Sequence, residues 1–196
     1  MMKNIKVKLT YLCSALLLLS TQFAAAQSYD YKQDLPDKDG KLVYEKIVDG
    51  LDAKKPLLYA SGKKWMADKL KNTGPVLQTE DLTTGQLIGK AYMDIEKRSS
   101  LVSSLEGYPI YKFSVQLDVR DGKYRMRIYD ILLNIQLKMG EEVTVSLDSL
   151  LFQSPPVTGK TRIEKAKATS SDLNTLFRGI LNSFNNIIKD AKRDDF

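Results

Sequence analysis

The stretch PIYKFSVQLDVRDGKYRMRIYDILLN, Pro109 to Asn134, reads as two strands folded about one turn. Tyr111, Phe113, Val115, Leu117 and Val119 alternate with polar residues, the period of a strand with one buried face. Asp121-Gly122 is a two-residue hairpin signal. A turn there sets Arg120 opposite Lys123, and the register follows outward: Val119 with Tyr124, Asp118 with Arg125, Leu117 with Met126, Gln116 with Arg127, Val115 with Ile128. Apolar pairs share one face and polar pairs the other. Arg120, Lys123, Arg125 and Arg127 look like a basic stripe along the chain, but Arg125 has an acid across from it. Exposed pairs of that kind contribute about 0.2–1 kcal/mol. Asp130 would oppose Phe113 and breaks the alternation, so a bulge or the end of pairing is expected there.

Upstream, Gln27 to Leu35 is polar and expected to be flexible, and DKDG at Asp37 to Gly40 is a turn. KLVYEKIV reads as a strand. A helix follows, with Asp52 as its expected N-cap, Pro56 in its first turn, and Leu58, Gly62, Trp65, Met66 and Leu70 on one face. Gly62 would let that face sit close to a sheet. VLQTED and QLIGKAYMDIE are two strands about a turn at Thr83 to Gly85, followed by a polar loop at Lys97 to Gly107. Beyond the hairpin, Glu141 to Phe152 reads as a further strand and QSPPVTGK as a loop. The chain closes with an amphipathic helix, residues 171–191, capped by Ser171; Leu173, Phe177, Leu181, Phe184 and Ile188 lie along its apolar stripe. The expected fold is α+β, a curved antiparallel sheet with helices on one face.

The first residues give an address. Lys3, Lys6 and Lys8 precede the apolar run LTYLCSALLLLSTQF, and Ala24 to Ala26 provide small residues at a cleavage site. This is the pattern of a secretory signal peptide, residues 1–26. Cys13 lies early in the run behind Tyr11 and Leu12, unlike a lipoprotein cysteine. Cleavage would leave 170 residues and lower the formal charge from +6 by three lysines to +3, with no cysteine. The expected location is the periplasm or outer envelope of a Gram-negative bacterium, or outside the cell.

DGKLVYEKIV, the helix with KKW, TTGQLIGKAY and RDGKYRMRIYDI together resemble an exported bacterial domain of unknown function, number 4468, with a TBP-like fold. The resemblance implies strand, helix, strands, helix order over a domain at residues 36–134, with 135–196 as a C-terminal extension. It implies no activity and no catalytic residue.

Chemistry is narrowed by what is missing. The chain has no histidine, which excludes Ser-His-Asp and Cys-His catalysis. Without mature cysteine, zinc and iron–sulfur sites lose their usual ligands. LPDKDGKLVYEK fails as a calcium loop, because Gly40 at its sixth position puts Leu35 first and Lys46 twelfth. SPPVTGKT ends like a phosphate loop, but Pro155 and Pro156 have no N–H to offer. Ser61 and Lys64 have Ser-x-x-Lys spacing without the partner motifs, SDLN standing for Ser-Asp-Asn and GKT for Lys-Thr-Gly. Glu45, Asp81, Asp94 and Asp130 are candidate glycosidase carboxylates with nothing to place two across a cleft. Trp65, Tyr44, Tyr92, Tyr111, Tyr124 and Tyr129 could stack on a ligand, though core packing explains most of them.

The reading is a non-enzymatic exported module, with no cofactor and no metal. It would bind or scaffold an envelope protein or glycan through the outer sheet face, with Arg125, Arg127, Lys112 and Gln116 as contact residues. A Ser61–Lys64 hydrolase is the alternative, and nucleic-acid binding the least favoured.

Overall fold

The computed structural model describes residues 27–70, 77–94, 108–136 and 141–191. The expected signal peptide and the expected loop at 97–107 lie outside them. Six strands form one antiparallel sheet: β4 (Tyr44–Val48), β5 (Leu77–Asp81), β6 (Gln86–Asp94), β7 (Tyr108–Arg120), β8 (Lys123–Gln136) and β9 (Glu142–Ser146). Their order is β4-β8-β7-β6-β5. β4 pairs with residues 124–128 of β8 and β9 with residues 132–136, so both run along the same side of β8, one after the other.

The central hairpin has the register its alternation demands, from Arg120 opposite Lys123 to Val115 opposite Ile128. The pairing then shifts between Lys112 and Ser114, where Asp130 and Ile131 both oppose Phe113. Asp130 takes φ 51°, the left-handed conformation of the first residue of a bulge. The extra residue is thereby absorbed. Tyr124, Met126 and Ile128 before it and Ile131, Leu133 and Ile135 after it all face the same core.

Helix α1 (Lys55–Lys69) lays Leu58, Gly62, Trp65 and Met66 on that core. At Gly62 a Cβ would collide with Leu117 and reach 3.0 Å from Leu87, so the glycine sets how closely helix and sheet approach. Asp52 is not its cap. The helix starts two residues later, with Lys54 at the N-cap position and no side-chain cap of its own. Asp121 on the hairpin turn supplies the acceptor instead, taking the Lys55 N–H at 2.8 Å.

The C-terminal half departs most from expectation. Glu141 to Phe152 is not one strand: β9 ends at Ser146 and a short helix α2 (Leu147–Phe152) buries Leu147 and Leu151. The last helix, α3, spans Lys160–Ala191 and begins eleven residues before Ser171, which sits exposed inside it. Ile163, Ala166, Thr169 and Ser170 prolong its buried stripe. Small and hydroxylated residues occupy that stretch, so hydropathy alone missed its periodicity. Within QSPPVTGK, Val157 and Thr158 form β10, pairing with β1 (Ser28–Tyr29).

The segment 27–35 is correspondingly not loose. Tyr29 is 2% exposed, its hydroxyl 2.7 Å from Ser170 Oγ, and it donates to Asp34 Oδ2 at 2.8 Å. The C-terminal extension packs on the sheet through residues between Leu147 and Ile188. Leu147, Leu173, Phe177, Leu181, Phe184 and Ile188 share one core with the sheet. KLVYEKIV is split by a break at Val43: Lys41–Leu42 is β3, which folds back on β2 (Asp37–Lys38). Asp39 and Gly40 between them both have positive φ, as a type I′ turn requires.

Candidate functional site

All three helices pack on the inner face, and none of the outward residues of β6, β7 and β8 enters that core. The outer face is built by the other half of each strand's alternation. Gln86, Lys90 and Tyr92 on β6 oppose Asp118, Ser114 and Lys112 on β7, which oppose Arg125, Tyr129 and Leu132 on β8. All four expected contact residues stand here, and each is already engaged. Arg125 donates to Asp118 Oδ2 from Nη2 at 2.9 Å and from Nε at 3.1 Å. Gln116 is 7% exposed and donates to Asp118 Oδ1 at 2.8 Å. Arg127 donates to Gln116 Oε1 at 2.7 Å. Lys112 pairs with Glu142 at 2.8 Å.

Asp118 is the hub, because Gln86 donates to it as well, at 3.0 Å. Burial acts to raise its pKa, but hydrogen bonds from Gln86, Gln116 and Arg125 outweigh burial and hold the carboxyl below its usual range. A carboxyl whose folded pKa is depressed stabilises the fold above its unfolded pKa. That contribution is lost as pH falls through the folded value. Below about pH 4 the native protein should therefore lose stability more steeply than an Asp118→Asn variant. Thermal melts across the acid range would show it; parallel losses would mean the carboxylate adds nothing.

The network separates two clefts. One, of about 290 Å³, lies at the hairpin end and is lined by Ile47, Asp49, Asp118, Arg120, Lys123 and Arg125. The other, of about 230 Å³, lies under the β2–β3 hairpin and is lined by Lys38, Lys41, Gln116, Arg127, Tyr129 and Asp130. The stripe Arg120, Lys123, Arg125, Arg127 is thus split, with three of its members at the first cleft and Arg127 at the second.

The remaining candidates are dispersed. Ser61 is 5% exposed, on the helix face turned to the sheet, while Lys64 is in solvent. Asp81 accepts from the Thr83 and Thr84 N–H groups of its own turn at 2.8 and 3.1 Å, and those bonds with the Thr84 hydroxyl lower its pKa. Glu45 and Asp94 are exposed on β4 and β6. Trp65, Tyr44, Tyr111 and Tyr124 are core residues, whereas Tyr92 is 39% exposed on the outer face. Among the described residues no three or more His, Cys, Asp or Glu side chains are grouped to hold a metal ion. Lys38 and Lys41 were invisible as site residues. DKDGK signals only a turn, although its Asp-Gly pair would have placed the two lysines opposite each other.

This arrangement defines an α+β protein of TBP-like fold. A TBP-like protein from Parabacteroides distasonis superposes with a TM-score of 0.53 at 16% identity, over 77% of this chain and 97% of that one. A DUF4468 family protein from Bacteroides ovatus superposes with a TM-score of 0.52 at 15% identity, over 77% and 90%. Residues 44–134 match the profile of the domain of unknown function DUF4468 with TBP-like fold. No curated protein matches the chain.

Proposed function

We propose that this is an exported, non-catalytic module that binds an envelope or extracellular partner through the outer face of its sheet. The observation that carries the reading is the division of the two faces. The helices take the whole inner face, while the outer one keeps two clefts beside a hydrogen-bonded network. A preorganised polar surface of this kind loses little side-chain freedom when a partner docks. The sealed position of Ser61 supports the non-catalytic part, since a nucleophile must reach its substrate. The signal-peptide pattern supports export.

Charge reversal at Arg125 is a poor probe, because a glutamate there would face Asp118. Photo-crosslinking groups at Lys90 and Tyr92 leave the network intact, and groups at Lys64 and Glu164 sample the helix side. In intact envelopes the first pair is expected to give a discrete adduct that the second does not. Adducts from the helix side alone, or equally from both, would overturn the choice of surface.

A further inference from the structure

We propose that the cleft between the β2–β3 hairpin and β8 is a binding site for an anionic oxygen group, a phosphate or a carboxylate. This rests on the outer face being the working surface and names the chemistry it takes there.

Three cations converge on the cleft. Lys38 and Lys41 are direct cross-strand partners in the hairpin, and both line it. Like charges set opposite one another destabilise a strand pair. Neither lysine has an ion-pair partner among the described residues. The hairpin cannot relieve them by sliding. Asp39-Gly40 closes it as a type I′ turn, Leu42 is fully buried, and the Leu42 N–H is fixed to Asp148 Oδ1 at 2.7 Å. The repulsion is held in place by the fold.

Arg127 faces the lysines from the floor of the sheet. Its Nη2 is used by Gln116, which orients the guanidinium, but its Nε is buried without a partner. Arg127 lines the cleft, so an arriving oxyanion meets its guanidinium there with a charge-assisted bond. Tyr129 adds a ring wall. Asp130 is the single acid of the lining and sets a limit on affinity.

Size narrows the ligand further. A volume of about 230 Å³ equals the liquid volume of about eight waters, which is room for a phosphate or one acidic sugar ring. The larger cleft is a weaker candidate: Asp49 and Asp118 offset its cations, and Arg125 is already bound to Asp118.

The test is an amide-shift titration of the purified protein at low ionic strength with inorganic phosphate, galacturonate and glucose. Saturable shifts at Lys38, Lys41, Arg127 and Tyr129 are expected with at least one of the two anions and none with glucose. The anion that saturates identifies the group. Lys41→Gln and Arg127→Gln should each weaken binding about tenfold or more. Lys41 lies on the hairpin surface, and removing its charge should leave the melting temperature equal or higher. Asp130→Asn, which tolerates the left-handed backbone, should tighten binding. Failure of both anions to saturate overturns the proposal, as do unsaturable shifts erased by salt, or affinities unchanged in Lys41→Gln and Asp130→Asn. None of these readouts involves the crosslinked partner, so the choice of surface and the choice of ligand fail separately.

Discussion

Replacing Phe177 with alanine should lower the free energy of unfolding by about 3–5 kcal/mol, the cost of emptying a large aromatic site in a packed core. Phe177 is fully buried on α3. Its ring lies 5.1 Å from Tyr44, 5.8 Å from Tyr111 and 5.4 Å from Phe113, so one side chain joins the C-terminal helix to β4 and β7. The three neighbours stand on separate parts of a rigid sheet and cannot close together on the void. Against a usual stability of about 5–15 kcal/mol, a large fraction is at stake. Denaturant titration should show a lower midpoint and one transition, since helix and sheet share one core. Exposed Arg178→Ala, one residue on, should stay within about 0.5 kcal/mol of the native protein. A loss below about 1 kcal/mol for Phe177→Ala would mean that α3 contributes little. Two separate transitions would mean that the C-terminal helix unfolds independently of the sheet.

What could be read from the sequence was whatever local periodicity controls. The central hairpin was legible to the residue because one face is buried, and a one-residue slip would turn every side chain over. Even the disturbance at Asp130 showed as a break in alternation. The limits of α3 were not legible. Ala168 to Ser171 looks like a capping cluster, and Tyr29, about 140 positions away, explains why Ser170 is buried. The same contact explains why the polar segment that begins at Gln27 is tied down. The candidate site was half visible. Arg127 and Gln116 could be set side by side from register, and Arg125 opposite Asp118. The cleft also needs Lys38 and Lys41, brought in by a hairpin some ninety residues earlier in the chain, and no pattern within either segment announces that meeting.

The second large effect is expected at Gly85, where Gly85→Ala should cost about 2–4 kcal/mol. Gly85 closes the β5–β6 turn with φ 77°, a conformation that costs a residue with a Cβ about 1–2 kcal/mol. Space is short as well. An added Cβ would run into the Val119 carbonyl oxygen and sit 2.9 Å from Lys55 Cε. The lysine tail can move, but the carbonyl belongs to the central strand, whose Val119 N–H donates to Gly85 O at 2.8 Å. Relief of the collision must strain that bond. Lys55 also donates from Nζ to Thr83 O and from its backbone to Asp121, so turn, hairpin and helix start are tied at one point. Gly40 isolates the steric part. It has the same φ of 77°, but nothing lies within 4 Å of where its Cβ would stand. Gly40→Ala should therefore show the conformational cost alone, about 1–2 kcal/mol. If the two variants melt together, the contact at Val119 is soft, and the end of the outer face near Asp118 and Arg125 is less rigid than its hydrogen bonds imply. If Gly85→Ala loses clearly more, the turn is a fixed corner of that face.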